Sequence, residues 1–217
     1  MRPQEIEPQG AWPPGCVGRE GPIGRGAMTK LNYWKGAWCL DAAQCPCDLH
    51  FLEYLEEKQA TGAVIFHFGT GSHHIVGLRM HAAGRNCAVL GITASPKEYE
   101  AYIALLIANP RLGQTYKAYF GDIYQIDRRL LPELDYAALF HVGEYRTQEN
   151  DRYGALTDLE MTLTLADRIR PGGELLFYKG SFAYDKAQAV AAQLVKLRPF
   201  VTRGDYRSLA IFSKRAG

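Results

Sequence analysis

The sequence predicts an α/β protein in which a mostly parallel sheet is covered by helices on both faces. Short apolar runs alternate with longer amphipathic stretches from residue 61 onward, a glycine-rich turn follows the first run, and two strand-like runs close the chain. Buried parallel strands read as nearly continuous apolar runs, because helices cover both of their faces. We therefore expect a doubly wound, mostly parallel, seven-stranded sheet with a C-terminal antiparallel hairpin.

Seven short apolar runs bounded by turn residues are predicted to form the strands. They span residues 63–68, 87–92, 115–120, 136–142, 174–178, 200–202 and 208–212. The RPGG stretch at residues 170–173 predicts a turn before the fifth strand, because proline and glycine favour turns. Gly204 and Asp205 predict the turn of the closing hairpin.

Amphipathic stretches predict helices at residues 72–81, 96–108, 156–169 and 183–197. The second is the most clearly marked, since Ser95 and Glu98 fit a capping box and Pro96 stands at the first helical position. Alternating strands and helices build a parallel sheet. Ligands of such folds bind beyond the carboxyl ends of the strands, which is where the glycine-rich turn stands.

Residues 1–27 differ from the rest of the chain, because they hold five of its eleven prolines and six of its 22 glycines. We expect a flexible, disordered leader there, with Met28 as a candidate natural start. Residues 28–217 are expected to form one domain. Within it, residues 28–60 are predicted to form a helical cap and residues 61–217 the core.

Composition narrows the range of partners. The net charge is +2 at pH 7, and no apolar run approaches the roughly 18 residues of a membrane span. Charge therefore does not favour nucleic acid, no membrane span is predicted, and a small molecule is the expected partner. Five cysteines, an odd number, indicate reduced thiols in a cytoplasmic protein. The oligomeric state is not predicted.

Four stretches follow one another in a characteristic order. They read AVIFHFGTG at 63–71, AVLGITASPKEYEAY at 88–102, AYFGDIYQI at 118–126 and LADRIRPGGELLFYKGS at 165–181. Each resembles a motif of the class I S-adenosylmethionine-dependent methyltransferases, whose fold is Rossmann-like, and the last is the most specific. The resemblance covers about residues 63–214. It implies S-adenosylmethionine as the cofactor.

The resemblance also implies which residues bind that cofactor. The loop after the first strand would hold the methionine end, the end of the second strand the ribose, and the end of the third strand the adenine. Here those positions are His67, Gly69, Thr70, Gly71, Ser72, His73, Thr93, Asp122 and Ile123. His67 and Thr93 stand where the family has acidic residues, and His73 stands at the third glycine position.

The candidate catalytic residues lie at the end of the predicted fourth strand and just beyond it. If the strand order of the family holds, His67 and His141 end neighbouring strands and face each other across the ligand crevice. Histidine is well suited to accept a proton near neutral pH. We expect His141 or Glu144 to deprotonate or orient an acceptor, with Tyr145 beside them. His67 would help to hold the methionine end. The alternative is that these histidines satisfy buried backbone groups.

Aromatic residues before the first strand are candidates for an acceptor pocket. Tyr33, Trp34 and Trp38 are close in sequence, and the two tryptophans are spaced to share one helical face. Tyr178 and Lys179 follow the fifth strand and would border the same crevice. Packing against the sheet explains the aromatic residues equally well, and Lys179 alternatively lies on the solvated surface.

Two groups contain metal-ligand residue types. His73 and His74 are adjacent, and adjacent side chains rarely point at one ion. The second group consists of Cys39, Cys45, Cys47, Asp48 and His50. It lacks the C-x2-C spacing of common zinc sites, so the cysteines are interpreted as small buried residues and no metal is expected.

The expected function is methyl transfer from S-adenosylmethionine to a small-molecule acceptor, with the methionine end held by the loop at residues 67–73. Two alternatives stay open. The altered His67 and Thr93 also fit a catalytically inactive partner or regulatory protein that binds S-adenosylmethionine or S-adenosylhomocysteine. An enzyme that transfers a different group from S-adenosylmethionine would use the same site.

Overall fold

The computed structural model describes residues 29–216, so the predicted leader at 1–27 and the candidate start at Met28 lie outside the described residues. Its strands are β1 Val64–Phe68, β2 Ala88–Thr93, β3 Tyr116–Phe120, β4 Leu134–Ala138, β5 Ile169–Tyr178, β6 Phe200–Tyr206 and β7 Leu209–Lys214. Its α-helices are α1 Cys47–Glu57, α2 Ile75–Ala82, α3 Pro96–Ala108, α4 Gln148–Arg152, α5 Asp158–Ala166 and α6 Tyr184–Leu197. Short 3₁₀ helices lie at Pro110–Gln114, Ile123–Gln125 and Arg128–Leu130.

The strands form one sheet in the order β3-β2-β1-β4-β5-β7-β6. Strands β1 to β5 pair in parallel, whereas β7 runs antiparallel to both β5 and β6. The predicted fold class is therefore confirmed. The strand order reverses between β1 and β4, and this reversal opens a crevice at the carboxyl ends of the central strands.

The hydrophobic core has two layers, one on each face of the sheet. Along β1 the side chains alternate, so that Ile65 packs with α1 and α2 while Phe66 packs with α5 and α6. Phe51 of α1 and Leu165 of α5 are completely buried in these layers. Full burial of a side chain of this size contributes roughly 1.5–3 kcal/mol. The two layers fix the central strands from both sides.

Helix α3 has the predicted bounds, but its predicted capping box is only half formed. The Ser95 hydroxyl accepts a hydrogen bond from the amide of Glu98 (3.3 Å), and Pro96 occupies the first turn. The carboxylate of Glu98 does not return to the backbone of Ser95. It bonds to Trp38 and Thr93 instead, which places it beside the crevice.

Three predicted turns and strand ends are wrong. The RPGG stretch lies inside β5, which begins at Ile169. Gly204 lies inside β6 at a register shift, where its positive φ of 93° fits a bulge, and the hairpin turns at Arg207 and Ser208. Strand β4 ends at Ala138 and not at the predicted residue 142. The apolar residues that follow Ala138 are buried in the core, and this burial explains why their pattern resembled a strand.

The predicted helical cap is also wrong in its first half. Residues 29–46 form no helix, and α1 begins only at Cys47. This segment, which we call the N-terminal strap, crosses the carboxyl edge of the sheet. The amide of Trp34 donates to the carbonyl of Ala94 (3.1 Å), and Asn32 donates to the carbonyl of Tyr145 (2.9 Å). The strap therefore forms the outer wall of the crevice.

Within residues 29–216, none of the helices combines the length and the apolar character that crossing a bilayer requires.

Candidate functional site

A cavity of about 230 Å³ opens at the carboxyl ends of the central strands, beneath the N-terminal strap. Twelve of the residues predicted for the site line it. They are Tyr33, Trp34, Trp38, Gly69, Gly71, His73, Thr93, Asp122, Ile123, His141, Glu144 and Tyr145. The predicted cofactor, acceptor and catalytic residues thus share one cavity.

Three predicted loop residues are not among those that line the cavity. His67 is buried below its floor, where Nε2 lies 2.9 Å from Oδ1 of Asp48. Thr70 is fully buried, and its methyl group packs on Gly91 of the neighbouring strand. Ser72 donates from both its amide and its hydroxyl to the carbonyl of Trp38, at 2.8 and 3.0 Å. These contacts shape the loop and tie it to the strap.

Tyr178, which ends β5, and Lys179, which follows it, are not lining residues either. The hydroxyl of Tyr178 donates to the carbonyl of Gln44 (3.4 Å), so this ring supports the strap from below. Lys179 forms an exposed ion pair with Asp205 at 2.5 Å. An exposed pair of this kind adds little stability.

The loop after β1 needs glycine at two positions. Gly69 and Gly71 have positive φ values of 86° and 56°. A Cβ on Gly71 would stand 2.5 Å from Nε2 of His73 and 3.0 Å from the carbonyl oxygen of Trp38. Only glycine allows the loop and the strap to approach this closely.

Glu98 brings a carboxylate to the end of β2, where the sequence has Thr93. Oε2 of Glu98 accepts from the Thr93 hydroxyl (2.5 Å), and Oε1 accepts from the amide of Trp38 (3.0 Å). The side chain is 3% exposed and lines the cavity. This role of Glu98 was not predicted from the sequence, because the capping box already explained a glutamate at this position. The position of Glu98 in the first turn of α3, directly after β2, could have indicated that its carboxylate lies near the end of that strand.

Asp122, at the end of β3, is a structural anchor of the cavity wall. Its Oδ2 accepts from the Asn150 amide and the Tyr153 hydroxyl, both at 2.6 Å, and its Oδ1 accepts from the amide of Tyr124. Asn150 also accepts from Asn32 of the strap (2.8 Å). Burial and the hydrogen bond to Asp122 raise the pKa of Tyr153 to about 12.

His141 and Glu144 form a hydrogen-bonded pair after β4. Nδ1 of His141 lies 3.2 Å from Oε2 of Glu144, whose Oε1 accepts from the Ser181 hydroxyl (2.6 Å). Burial alone would lower the pKa of His141, but hydrogen bonds to Cys45 and Glu144 raise it to about 10. These contacts favour the protonated form of His141, whereas accepting a proton was one of the two roles that the sequence suggested.

Cys45 and Cys47 lie next to this pair. Their Sγ atoms are 3.4 Å apart, and a ring nitrogen of His141 lies within 4.8 Å of both. The hydrogen bond from Cys47 outweighs burial and, with His141 nearby, lowers the pKa of Cys45 to about 5. The hydrogen bond to Cys45 and burial raise the pKa of Cys47. The two Sγ atoms are therefore close enough to share a hydrogen bond.

The other histidines and cysteine of the two groups that contain metal-ligand residue types do not join this cluster. Cys39 is exposed near Ser72, and His50 bonds to the hydroxyl of Ser208. His73 faces the cavity, whereas His74 packs behind it in the core. Sequence spacing did not find the cluster of two cysteines with His141, because its third member follows β4, far along the chain.

Asp48 adds buried negative charge under the cluster. Its two oxygens lie 2.9 Å from Nε2 of His67 and 3.7 Å from Nε2 of His73. Burial would raise the pKa of Asp48, but the two histidines outweigh it and lower the pKa. Asp48 therefore fixes the position of both rings beside the cavity.

Comparison with solved structures places this fold among the methyltransferases. A proposed caffeoyl-CoA O-methyltransferase from Staphylococcus aureus aligns with a TM-score of 0.57 at 13% identity, covering 82% of this chain and 86% of that one. A methyltransferase from Aquifex aeolicus described as S-adenosylmethionine-dependent aligns at 0.52 and 12%, covering 81% and 98%. A proposed rRNA methylase from Clostridium thermocellum aligns at 0.52 and 12%, covering 75% and 93%.

Compared as a sequence, the chain matches no protein-family model and no curated protein. The structural similarity therefore shows the fold, which is that of the class I S-adenosylmethionine-dependent methyltransferases.

Proposed function

We propose that this protein transfers a methyl group from S-adenosylmethionine to a small-molecule acceptor. One observation carries the proposal: the glycine turn after β1, the Glu98 carboxylate beside the end of β2 and Ile123 after β3 line a single cavity. This is the crevice in which doubly wound folds bind their ligands.

The residues present fit the cofactor. Each oxygen of Glu98 accepts one hydrogen bond from the protein, and a carboxylate has about four lone-pair sites, so it can also accept from ribose hydroxyls. Ile123 offers an apolar surface for the adenine. The loop from Gly69 to His73 precedes α2, where backbone amides favour a carboxylate. When bound, the cofactor supplies a methyl group made electrophilic by the adjacent sulfonium.

The acceptor side of the cavity is aromatic. The ring centroid of Trp34 lies 6.5 Å from that of Trp38 and 5.6 Å from that of Tyr145. Aromatic walls favour a flat or apolar acceptor. His141 and Glu144 lie beside these rings and would orient its reacting atom. The strap covers the cavity, which together with the small net charge supports a small molecule over RNA.

A binding protein without turnover is the second candidate. His67 and Asp48 satisfy each other in the floor of the cavity, so the altered loop needs no substrate to explain it. Transfer of a different group from the cofactor is the third. Both share the proposed cofactor site and differ in the product.

The test is incubation of the full chain with S-adenosylmethionine labelled in its methyl group and a panel of small thiols, alcohols, phenols and amines, with total RNA as a separate arm. The proposal predicts label on a small molecule together with S-adenosylhomocysteine. Labelled RNA would contradict the acceptor class, and methylthioadenosine would indicate transfer of a different group. Cofactor binding with no transfer in either arm would favour the binding protein.

A further inference from the structure

We propose that Cys45, Cys47 and His141 form a binding site for a thiophilic divalent cation of the zinc class in the wall of the cavity. The two sulfur atoms and the imidazole nitrogen all lie within 4.8 Å of one another. This inference deepens the proposed function, on which its suggested role in acceptor binding rests. The metal affinity itself is independent of that function.

The spacing of the donor atoms fits tetrahedral zinc. Zinc–sulfur bonds of about 2.3 Å at tetrahedral angles separate two sulfur ligands by roughly 3.8 Å. The observed Sγ–Sγ distance between Cys45 and Cys47 is 3.4 Å, so only a small adjustment is needed. Two thiolates and one imidazole are ligands that zinc prefers, and the harder cations magnesium and calcium prefer oxygen.

The imidazole is already oriented as a metal ligand. Nδ1 of His141 bonds to Glu144, which leaves Nε2 for the thiols, and the Glu144 carboxylate is itself held by the Ser181 hydroxyl. Metal-binding histidines usually donate their second ring nitrogen to a carboxylate in this way, and that partner fixes the ring.

The thiols are also held in place. Cys45 donates its amide to the carbonyl of Asp41 (2.9 Å), and Pro46 between the cysteines restricts the backbone. Cys47 is the first residue of α1, so the helix holds its Sγ beside that of Cys45. All three ligands line the cavity, so a fourth coordination position faces the space proposed for the acceptor. A thiol or hydroxyl of the acceptor would reach a bound ion there.

The test is metal binding by the full chain under reducing conditions, measured by competition with a chromophoric zinc chelator and by the absorption of the cobalt(II) form. We expect one zinc per chain and a thiolate-to-cobalt charge-transfer band. Cys45→Ser and Cys47→Ser should each weaken zinc binding at least about 100-fold, beyond the effect of losing a secondary contact. Cys39→Ser, which removes an exposed thiol, should leave it unchanged.

Three outcomes would overturn the inference: no stoichiometric zinc, a cobalt spectrum without the thiolate band, or equal affinity in the Cys45→Ser, Cys47→Ser and Cys39→Ser variants. A disulfide between Cys45 and Cys47 that resists the reductant used in the test would also overturn it. Circular dichroism and S-adenosylhomocysteine titration of each variant check the fold independently. Zinc binding without S-adenosylhomocysteine binding would contradict the proposed function but not the metal site. S-adenosylhomocysteine binding without zinc binding would contradict only the metal site.

Discussion

The Thr93 hydroxyl donates a 2.5 Å hydrogen bond to the carboxylate of Glu98. Thr93 ends β2 and Glu98 stands in the first turn of α3, so the pair joins the strand to the helix that follows it. A negative charge in the first turn is favoured by the helix dipole. The pair thus provides an acidic group beside the cavity, although the sequence has threonine at the strand end.

The first prediction concerns Glu98→Gln. Glutamine keeps the size of the side chain and one accepting oxygen but loses the charge, so hydrogen bonds to ribose hydroxyls should weaken. We expect the affinity for S-adenosylmethionine to fall about tenfold or more, which is about 1.4 kcal/mol. Isothermal calorimetry measures it. Glu100→Gln, on the exposed face of α3, is the matched control, and equal affinities in the two variants would refute the assignment.

The second prediction concerns Gly71→Ala. The new methyl group would meet His73 and the carbonyl of Trp38, at a backbone conformation that alanine disfavours. We expect a loss of about 1–3 kcal/mol in the free energy of unfolding and weaker S-adenosylhomocysteine binding. Gly84→Ala has a similar positive φ and open space, so it should lose stability without losing affinity. Chemical denaturation measures the stability of each variant, and calorimetry measures its affinity. An equal loss of affinity in both variants would contradict this prediction.

The third prediction concerns His141→Ala and Glu144→Gln. Both remove the pair expected to orient the acceptor, so turnover should fall on the order of 100-fold or more while S-adenosylhomocysteine binding is retained. Glu149→Gln, on the surface of α4, should leave turnover unchanged. Steady-state kinetics and calorimetry on the same preparations separate the two effects. Full activity of His141→Ala would exclude a role for this residue in the reaction.

The fourth prediction is a pH dependence of stability through His74. Its Nδ1 accepts from the Tyr116 hydroxyl (2.6 Å) and its Nε2 donates to the Glu98 carbonyl (2.8 Å), so the neutral ring satisfies both partners. Burial lowers the pKa of His74 from 6.5 to about 4. Because the unfolded chain binds this proton more tightly, His74 destabilises the fold as the pH falls from 6.5 towards 4, by about 3 kcal/mol.

His74→Gln removes this titration and serves as the reference. Its free energy of unfolding should be lower than that of the unchanged chain at pH 7, and the difference should narrow as the pH falls to 4. Urea denaturation at a series of pH values gives both curves. A difference that stays constant over this range would show that folding leaves the pKa of His74 unchanged, which would contradict the prediction.

The sheet and its crevice could be predicted from sequence because local signals carried them. Continuous apolar runs marked the buried strands, and Ser95 with Pro96 marked the start of α3. Turns were less certain, since Gly204 supports a bulge as readily as a hairpin turn. The non-helical strap was not predicted, because Trp34 and Trp38 have the i, i+4 spacing of one helical face. In the structure the two rings lie close together although the segment that carries them is not a helix.

The site was predicted where its residues follow strands and missed where it depends on tertiary contacts. Gly69 stands directly after β1, and His141 and Glu144 lie in the segment that follows β4, so topology placed them in the crevice. Cys45 and Cys47 reach the same place from the strap and the start of α1. No spacing in the sequence links those cysteines to His141, because the fold alone brings them together.

The most direct test of the central claim is calorimetric titration of the full chain with S-adenosylmethionine and S-adenosylhomocysteine, with NAD as the control nucleotide. We expect both sulfur ligands to bind at one site per chain, and we expect NAD not to compete with them. If neither ligand binds the folded chain, or if NAD binds in their place, the cavity beneath the strap does not hold this cofactor and the proposed methyl transfer is contradicted.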